Sequence, residues 1–322
     1  MHDIGEPIKF KNRNDKWLFG IYHTPHKPDQ ADRVIVLLSP GIKSRVGPHR
    51  LYIKMTDMFL NMGYPVLRVD PEGLGDSEGE IHEPYTADVY GAIELGRLVN
   101  DTVDTLNWFE NQYGMRKFIL AGLCGGAITA LLTGANDSRV EGILSLGMTC
   151  IISGSNADPY QYLTEGQSQE LRASYFSKLL DPKSWLRLLT FRSDFKLMFT
   201  TILRPLIQRS RNDNKAAATR SDQSPDTAPP DTNLNPHFPK AFMAFVRQRK
   251  ILLIFSEADR LFWEFEEKFL SIYAPQLAPY KENYQILTIS KANHIFSFPE
   301  WQSEMLEASN KWLRLNFAPR GQ

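Results

Sequence analysis

Short apolar runs alternate with longer stretches of helical periodicity along the first 150 residues. Each run has the length and continuity of a buried strand, and the stretches between them space their apolar residues as amphipathic helices do. The predicted strands lie at 8–11, 17–22, 33–39, 64–70, 117–121 and 140–147, and the predicted helices at 49–62, 86–113 and 126–133. The first two strands form a hairpin. Because strands separated by helices pair in parallel, the pattern predicts an α/β fold with a mostly parallel central sheet and helices on both faces.

The alternation stops near residue 151 and resumes near residue 239. Residues 166–207 have a helical pattern rich in aromatic side chains, whereas residues 208–237 are rich in Ser, Asn, Asp, Pro and Ala. A segment of the second kind buries too little apolar surface to offset the entropy of ordering it. We therefore predict a helical lid insertion over 151–238 that contains a disordered linker over about 208–237.

The sheet pattern returns after the insertion. Helices are predicted at 241–249, 262–273 and 299–315, and strands at 251–255 and 284–289. Segments 1–150 and 239–322 thus form the first and last parts of a single α/β core.

The charge balance limits the classes of partner. The chain has 37 basic and 37 acidic residues, so it lacks the basic excess typical of nucleic-acid-binding proteins. No run approaches the roughly 18 apolar residues of a membrane-spanning helix, and the N-terminus does not resemble a signal peptide. We expect a cytoplasmic protein that binds no nucleic acid and does not insert stably into a membrane.

A candidate nucleophile lies between the strand at 117–121 and the helix that follows it. Gly122-Leu-Cys-Gly-Gly126 has small residues two positions before and two after Cys124. This spacing is typical of a nucleophile elbow, a turn so tight that larger side chains at those two positions would clash. The side chain of Cys124 would project at a helix N-terminus, whose dipole and unpaired N–H groups favour a thiolate.

The acid and the base of such a site are expected after later strands, in the order nucleophile, acid, histidine. Asp259 follows the strand at 251–255, and Glu257 on the same loop is the alternative acid. His294 follows the strand at 284–289 and is the only histidine C-terminal to the acid loop. We therefore predict that Cys124, Asp259 and His294 are the catalytic residues.

Two backbone N–H groups would complete the site as an oxyanion hole. Gly125 follows the nucleophile, and Ile42 lies in the loop after the strand at 33–39, where such sites take their second donor. Just beyond that loop, Arg45, His49 and Arg50 are candidates to bind a phosphate of coenzyme A or of a carrier arm. The alternative is that these three are solvated side chains at the start of a helix.

These residues resemble the α/β-hydrolase superfamily and, within it, the hydrolases associated with bacterial exosortase A systems. The resembling segments are Arg45-Val-Gly-Pro-His-Arg50, Gly63-Tyr-Pro-Val-Leu-Arg68, Gly73-Leu-Gly-Asp-Ser-Glu-Gly79, Gly122-Leu-Cys-Gly-Gly-Ala127, Tyr175-Phe-Ser-Lys-Leu-Leu-Asp-Pro-Lys-Ser-Trp-Leu186 and Ala292-Asn-His-Ile-Phe-Ser297. The resemblance implies the α/β-hydrolase fold with a lid.

The expected chemistry is acyl transfer through an acyl-cysteine intermediate. Hydrolysis of a thioester or ester is expected first, on a small-molecule acyl substrate that is free or bound to a carrier or to coenzyme A. Two alternatives stay open: an acyltransferase that delivers the acyl group to an amine or alcohol, and a catalytically silent scaffold. The motifs indicate neither a cofactor nor a metal site.

Overall fold

The structure is a computed structural model that describes residues 5–25, 32–153 and 233–317. Within these ranges one sheet contains β1 (Glu6–Lys11), β2 (Trp17–His23), β3 (Val34–Leu38), β4 (Val66–Val69), β5 (Phe118–Leu123), β6 (Val140–Leu146), β7 (Lys250–Ser256) and β8 (Tyr284–Ile289). The strand order is β1-β2-β4-β3-β5-β6-β7-β8. Strand β2 is antiparallel to both of its neighbours, and the pairs from β4 to β8 are parallel. The prediction of a hairpin followed by a mostly parallel sheet is confirmed.

The described helices cover both faces of the sheet. They are α1 (Leu51–Asn61), α2 (Thr86–Glu94), α3 (Val99–Tyr113), α4 (Gly125–Asn136), α5 (Phe238–Val246), α6 (Arg260–Phe265), α7 (Ser271–Leu277) and α8 (Pro299–Phe317). A π-helical turn, Glu266–Leu270, joins α6 to α7. Helices α1 and α8 share one buried cluster with alternate residues of β3, β5, β6 and β7. Helix α4 packs against β5 and β6 and contacts α2, α3 and α5. None of the described helices is long and apolar enough to cross a membrane.

The predicted helical region 86–113 contains a break. Helix α2 ends at Glu94 and α3 begins at Val99, and between them Gly96 has a φ of +103°. That backbone angle is readily adopted by glycine and disfavoured for other residues, so it ends the first helix and lets the second leave in a new direction.

The predicted lid and linker fall almost entirely on residues 154–232, which lie outside the described residues. The two ends of this segment are held together within the core. Ile151 and Leu234 form an isolated antiparallel bridge, and Asn235 N–H donates to the carbonyl of Cys150 at 2.8 Å. The two described segments that flank residues 154–232 therefore meet at one place, just after β6.

The strand order places a crevice between β3 and β5. From β3 the chain continues to β4 on one side, and from there it crosses to β5 on the other side. Where the direction of winding reverses in this way, the loops after the two strands diverge and leave room for a ligand at their carboxyl ends. Cys124 follows β5 directly at this edge.

Candidate active site

Cys124 occupies a strained turn between β5 and α4. Its φ and ψ are 54° and −114°, an uncommon conformation for a residue other than glycine. A Cβ atom on Gly122 would lie 2.4 Å from the carbonyl carbon of Gly126, and one on Gly126 would lie 2.5 Å from the carbonyl oxygen of Leu38. Both positions therefore require glycine, as the spacing of the motif indicates. The turn projects the Cys124 side chain at the N-terminus of α4 and leaves it partly exposed.

His294 lies between Asp259 and Cys124. Its Nδ1 is 2.5 Å from Oδ2 of Asp259, and Cys124 lies close enough to raise the pKa of His294. Asp259 is the N-cap of α6 and is 12% exposed, which keeps its carboxylate in one place. The structure thus brings together three residues that are separated by up to 170 positions in the sequence (294 − 124).

Glu257, the alternative acid, does not take part in this group. Its carboxylate accepts hydrogen bonds from the hydroxyl of Ser290 and from the N–H of Lys291, both at 2.7 Å. These hydrogen bonds lower the pKa of Glu257. Of the two carboxylates on this loop, only that of Asp259 reaches His294.

The surroundings of His294 favour its charged form. Burial by itself lowers the pKa of His294, but the hydrogen bonds to Asp259 and Cys124 and the charges of both partners outweigh it and raise the pKa to about 10. The protonated imidazole is therefore favoured at neutral pH, with its Nδ1 at the carboxylate of Asp259 and with Cys124 nearby. This arrangement can hold a thiolate–imidazolium ion pair.

The loop after β3 lies directly against the start of α4. A Cβ atom on Gly125 would be 2.8 Å from Cα of Gly41, so the two backbones are in contact. The hydroxyl of Ser39 donates to the carbonyls of Gly41 and Lys43, which fixes the curvature of the loop. Ile42 packs its side chain on a buried cluster that includes residues of α2. The loop that carries Ile42 therefore lies next to Gly125, the residue that follows Cys124.

The three basic residues beyond this loop have different surroundings. The guanidinium of Arg45 forms ion pairs with Asp70, which is fully buried, and with Asp76. Its backbone N–H donates to Asp70 as well, at 2.6 Å. His49 and Arg50 are exposed and precede α1 with φ values of 50° and 57°. Arg45 thus ties the loop to the segment after β4, whereas His49 and Arg50 face solvent.

Three residues of the site have no signal in the motif spacing. Tyr90 of α2 lies against Gly41, where a Cβ atom would be 2.6 Å from its ring. Gly147, after β6, has a φ of +55° and borders the His294 ring. The hydroxyl of Tyr52 in α1 accepts a hydrogen bond from the N–H of Leu123, the residue before Cys124. These residues reach the site because of the order of the strands within the sheet, which a single sequence does not reveal.

No metal site accompanies this group in the part of the chain that the structure describes. There, no three His, Cys, Asp or Glu side chains lie close enough together to hold a metal ion.

Comparisons with known proteins point to one fold. No protein-family model and no curated protein sequence matches the chain. Solved structures do match it. The Pyrococcus furiosus esterase Pf2001 is 14% identical with a TM-score of 0.55, and the match covers 97% of this chain and 91% of that chain.

Two further solved structures are similar over nearly their full length. An α/β serine hydrolase without lid from Xanthomonas campestris is 13% identical with a TM-score of 0.50, and the match covers 99% of this chain and 97% of that chain. The dienelactone hydrolase of Anabaena variabilis is 13% identical with a TM-score of 0.50, over 98% and 99% of the two chains. With the mostly parallel sheet and the turn after β5, these likenesses show that the chain has the α/β-hydrolase fold.

Proposed function

We propose that the protein is a hydrolase that cleaves a thioester or ester through an acyl-cysteine intermediate. The observation that carries the proposal is the group of Asp259, His294 and Cys124 at the carboxyl end of the sheet, in which Asp259 bonds to His294 and Cys124 occupies a strained turn. Strain at such a turn is a cost that folded proteins retain at functional sites. Nucleophile, base and orienting acid in one series is the arrangement that activates a nucleophile for acyl transfer.

The first half-reaction forms the acyl-enzyme. The Cys124 thiolate attacks the carbonyl carbon of the substrate, and the N–H groups of Ile42 and Gly125 stabilise the resulting oxyanion. When this intermediate collapses, the bond from carbon to the leaving sulfur or oxygen breaks. His294 gives its proton to the departing thiolate or alkoxide and is left neutral. Each oxyanion donor of this kind contributes about 3 kcal/mol to transition-state stabilisation.

The second half-reaction returns the enzyme to its resting state. Neutral His294 takes a proton from water as the water oxygen attacks the thioester carbonyl. The bond between carbon and Cys124 Sγ then breaks and releases a carboxylic acid. The thiolate and the imidazolium are both regenerated, so no proton or electron remains unassigned. Asp259 holds the imidazole in the orientation that both steps need.

A cysteine nucleophile favours thioesters as substrates. Exchange of one thioester for another is close to thermoneutral, because bond type and leaving group are the same on both sides. Esters and lactones are included because the structural neighbours are an esterase and a dienelactone hydrolase. The substrate is a small acyl compound, free or bound to a carrier or to coenzyme A. Because Arg45 is paired with Asp70 and Asp76, His49 and Arg50 are the exposed side chains available to such a phosphate.

A second candidate function is acyl transfer to an amine or alcohol. It differs only in the second half-reaction, where that acceptor replaces water at the His294 base. The partial exposure of Cys124 supports both versions, since an acceptor can approach it.

Turnover of a substrate panel tests the proposal. We would measure product release from short- and long-chain acyl-CoA thioesters and p-nitrophenyl esters, with wild type and with His294→Asn. We expect turnover in wild type that His294→Asn reduces at least a hundredfold, because it removes the general base. Added glycine ester separates the two functions: free acid indicates hydrolysis, and acyl-amide indicates transfer. If wild type and His294→Asn are equally inactive on the whole panel, the scaffold alternative replaces the proposal.

A further inference from the structure

The hydroxyl of Tyr52 connects two strand ends beneath the site. Tyr52 lies in the first turn of α1 and is fully buried. Its hydroxyl donates to the carbonyl of Leu38 at 2.7 Å and accepts the N–H of Leu123 at 2.8 Å. Leu38 ends β3 and Leu123 ends β5, and these two strands are neighbours in the sheet with Leu38 paired to Gly122. The hydroxyl therefore bridges the last rung between the strands.

Both bridged residues lead directly into the site. Leu38 precedes the loop that carries Ile42, and Leu123 precedes Cys124. The loop after β3 that carries Ile42 (the oxyanion loop) and the nucleophile Cys124 thus both follow residues that bond to the hydroxyl oxygen of Tyr52. On its other side, Cys124 is fixed by its own N–H, which donates to the carbonyl of Leu146 at 2.8 Å.

Tyr52 is itself held in one position. Its backbone N–H donates to the carbonyl of Val46 at 3.2 Å, and its carbonyl accepts the hydroxyl of Thr56 at 2.6 Å. The ring packs against Gly47 and within the cluster formed by α1, α8 and the sheet. Burial raises the pKa of Tyr52 far above its usual range, so the hydroxyl keeps its proton and remains a donor to Leu38.

We propose that Tyr52 is a positioning residue that fixes the separation of Cys124 from the oxyanion loop by bridging Leu38 and Leu123. The inference rests on the proposed function, since it concerns the geometry of that same reaction. Without the hydroxyl, both backbone groups lose a buried partner, and the strand ends are free to adjust. An adjustment of well under 1 Å is enough to weaken an oxyanion contact, while the side chains of His294 and Asp259 are anchored elsewhere.

Tyr52→Phe tests the proposal, because it keeps the ring in its cavity and removes only the hydroxyl. Tyr64→Phe is the matched control. Tyr64 is another buried tyrosine of the same cluster, and its hydroxyl bonds to the carbonyl of Phe317, away from the site. We expect Tyr52→Phe to lower kcat on an acyl-thioester about 10- to 100-fold with KM changed less than about threefold. Tyr64→Phe should keep kcat within about twofold of wild type even if the two variants lose similar amounts of stability.

The rate of Cys124 alkylation by iodoacetamide, compared with kcat, distinguishes a positioning role from a merely structural one. Alkylation needs the thiolate but no oxyanion hole, so Tyr52→Phe should retain the wild-type alkylation rate while its kcat falls. If kcat and alkylation fall together, or if kcat is unchanged, the positioning role is wrong. A wild type that alkylates quickly but turns over no acyl substrate overturns the proposed function, and this inference with it.

A second replacement covers the case in which Tyr52→Phe does not fold. 4-Aminophenylalanine at position 52 keeps a donor to Leu38 but is a poor acceptor for the N–H of Leu123. We expect a folded variant with kcat lowered at least fivefold. A folded variant with the kcat of wild type would overturn the proposal.

Discussion

Replacing Asp259 by asparagine should lower the pKa of His294 and, as a result, the reactivity of Cys124. The carboxylate of Asp259 is 2.5 Å from Nδ1 of His294 and helps to raise the His294 pKa to about 10. Without that hydrogen bond and charge, only Cys124 still opposes the effect of burial, so the pKa of His294 falls, by about 1 to 3 units for the loss of a neighbouring opposite charge. At pH 7.5 a fall of about 3 units from about 10 would lower the imidazolium fraction from nearly all to about one quarter.

The loss of the imidazolium removes the partner of the Cys124 thiolate. Since the imidazolium fraction falls to about one quarter, we expect Asp259→Asn to lower the rate of Cys124 alkylation by iodoacetamide about fourfold at this pH. Cys150, the other thiol, is 1% exposed and should not compete for the reagent.

The assay follows alkylation by intact mass over time at pH 7.5 in wild type, Asp259→Asn and Glu257→Gln. Thiolate absorbance near 240 nm gives a second measurement, with Cys124→Ala as the blank. Glu257→Gln is the matched control, because it removes the other carboxylate of the same loop without touching His294. It should alkylate at the wild-type rate. Alkylation of Asp259→Asn at the wild-type rate, or loss of alkylation in Glu257→Gln, would refute the reasoning.

Two further predictions concern the frame of the site. Gly126→Ala places a Cβ atom 2.5 Å from the carbonyl oxygen of Leu38, so we expect it to lower the free energy of unfolding by a few kcal/mol in urea titrations and to abolish turnover; a variant of wild-type stability and activity would contradict the tight turn. Glu94 is buried, where desolvation raises its pKa to about 7 despite hydrogen bonds from the N–H and hydroxyl of Ser153. Its folded form binds more protons than its unfolded form between about pH 4.5 and 7, so stability falls as pH rises through that window, by up to about 3 kcal/mol from this group. Glu94→Gln should remove this contribution, so urea unfolding of wild type and variant should differ by more at pH 8 than at pH 5, in favour of the variant; an equal difference at the two pH values would contradict the burial argument.

The sequence reveals those parts of the site that depend on local geometry and chain order. The glycines at 122 and 126 identify the turn because any side chain there meets backbone. Asp259 and His294 follow the last two strands of the chain, which the apolar pattern marks clearly. The sequence prefers Asp259 to Glu257 as the acid, and in the structure the carboxylate of Asp259 contacts His294 while that of Glu257 bonds to Ser290 and Lys291.

The remaining parts depend on which strands are neighbours. Tyr52 and Leu123 are 71 positions apart, and they meet only because β3 lies next to β5. From the sequence, Arg45 looks like an exposed residue that could bind a phosphate. In the structure its guanidinium pairs with the buried carboxylate of Asp70. Long-range pairings of this kind are set by packing across the sheet, and local propensity carries no trace of them.

Trapping the acyl-enzyme tests the central claim most directly. Wild type and Cys124→Ala would each be mixed with acyl-thioesters and activated esters, quenched in acid within seconds, and weighed as intact proteins. We predict that wild type gains the mass of one acyl group, located by peptide mapping on Cys124, and that Cys124→Ala gains none. Equal labelling of the two proteins, or no adduct with any donor while iodoacetamide alkylates Cys124 no faster than a free thiol, would contradict the account.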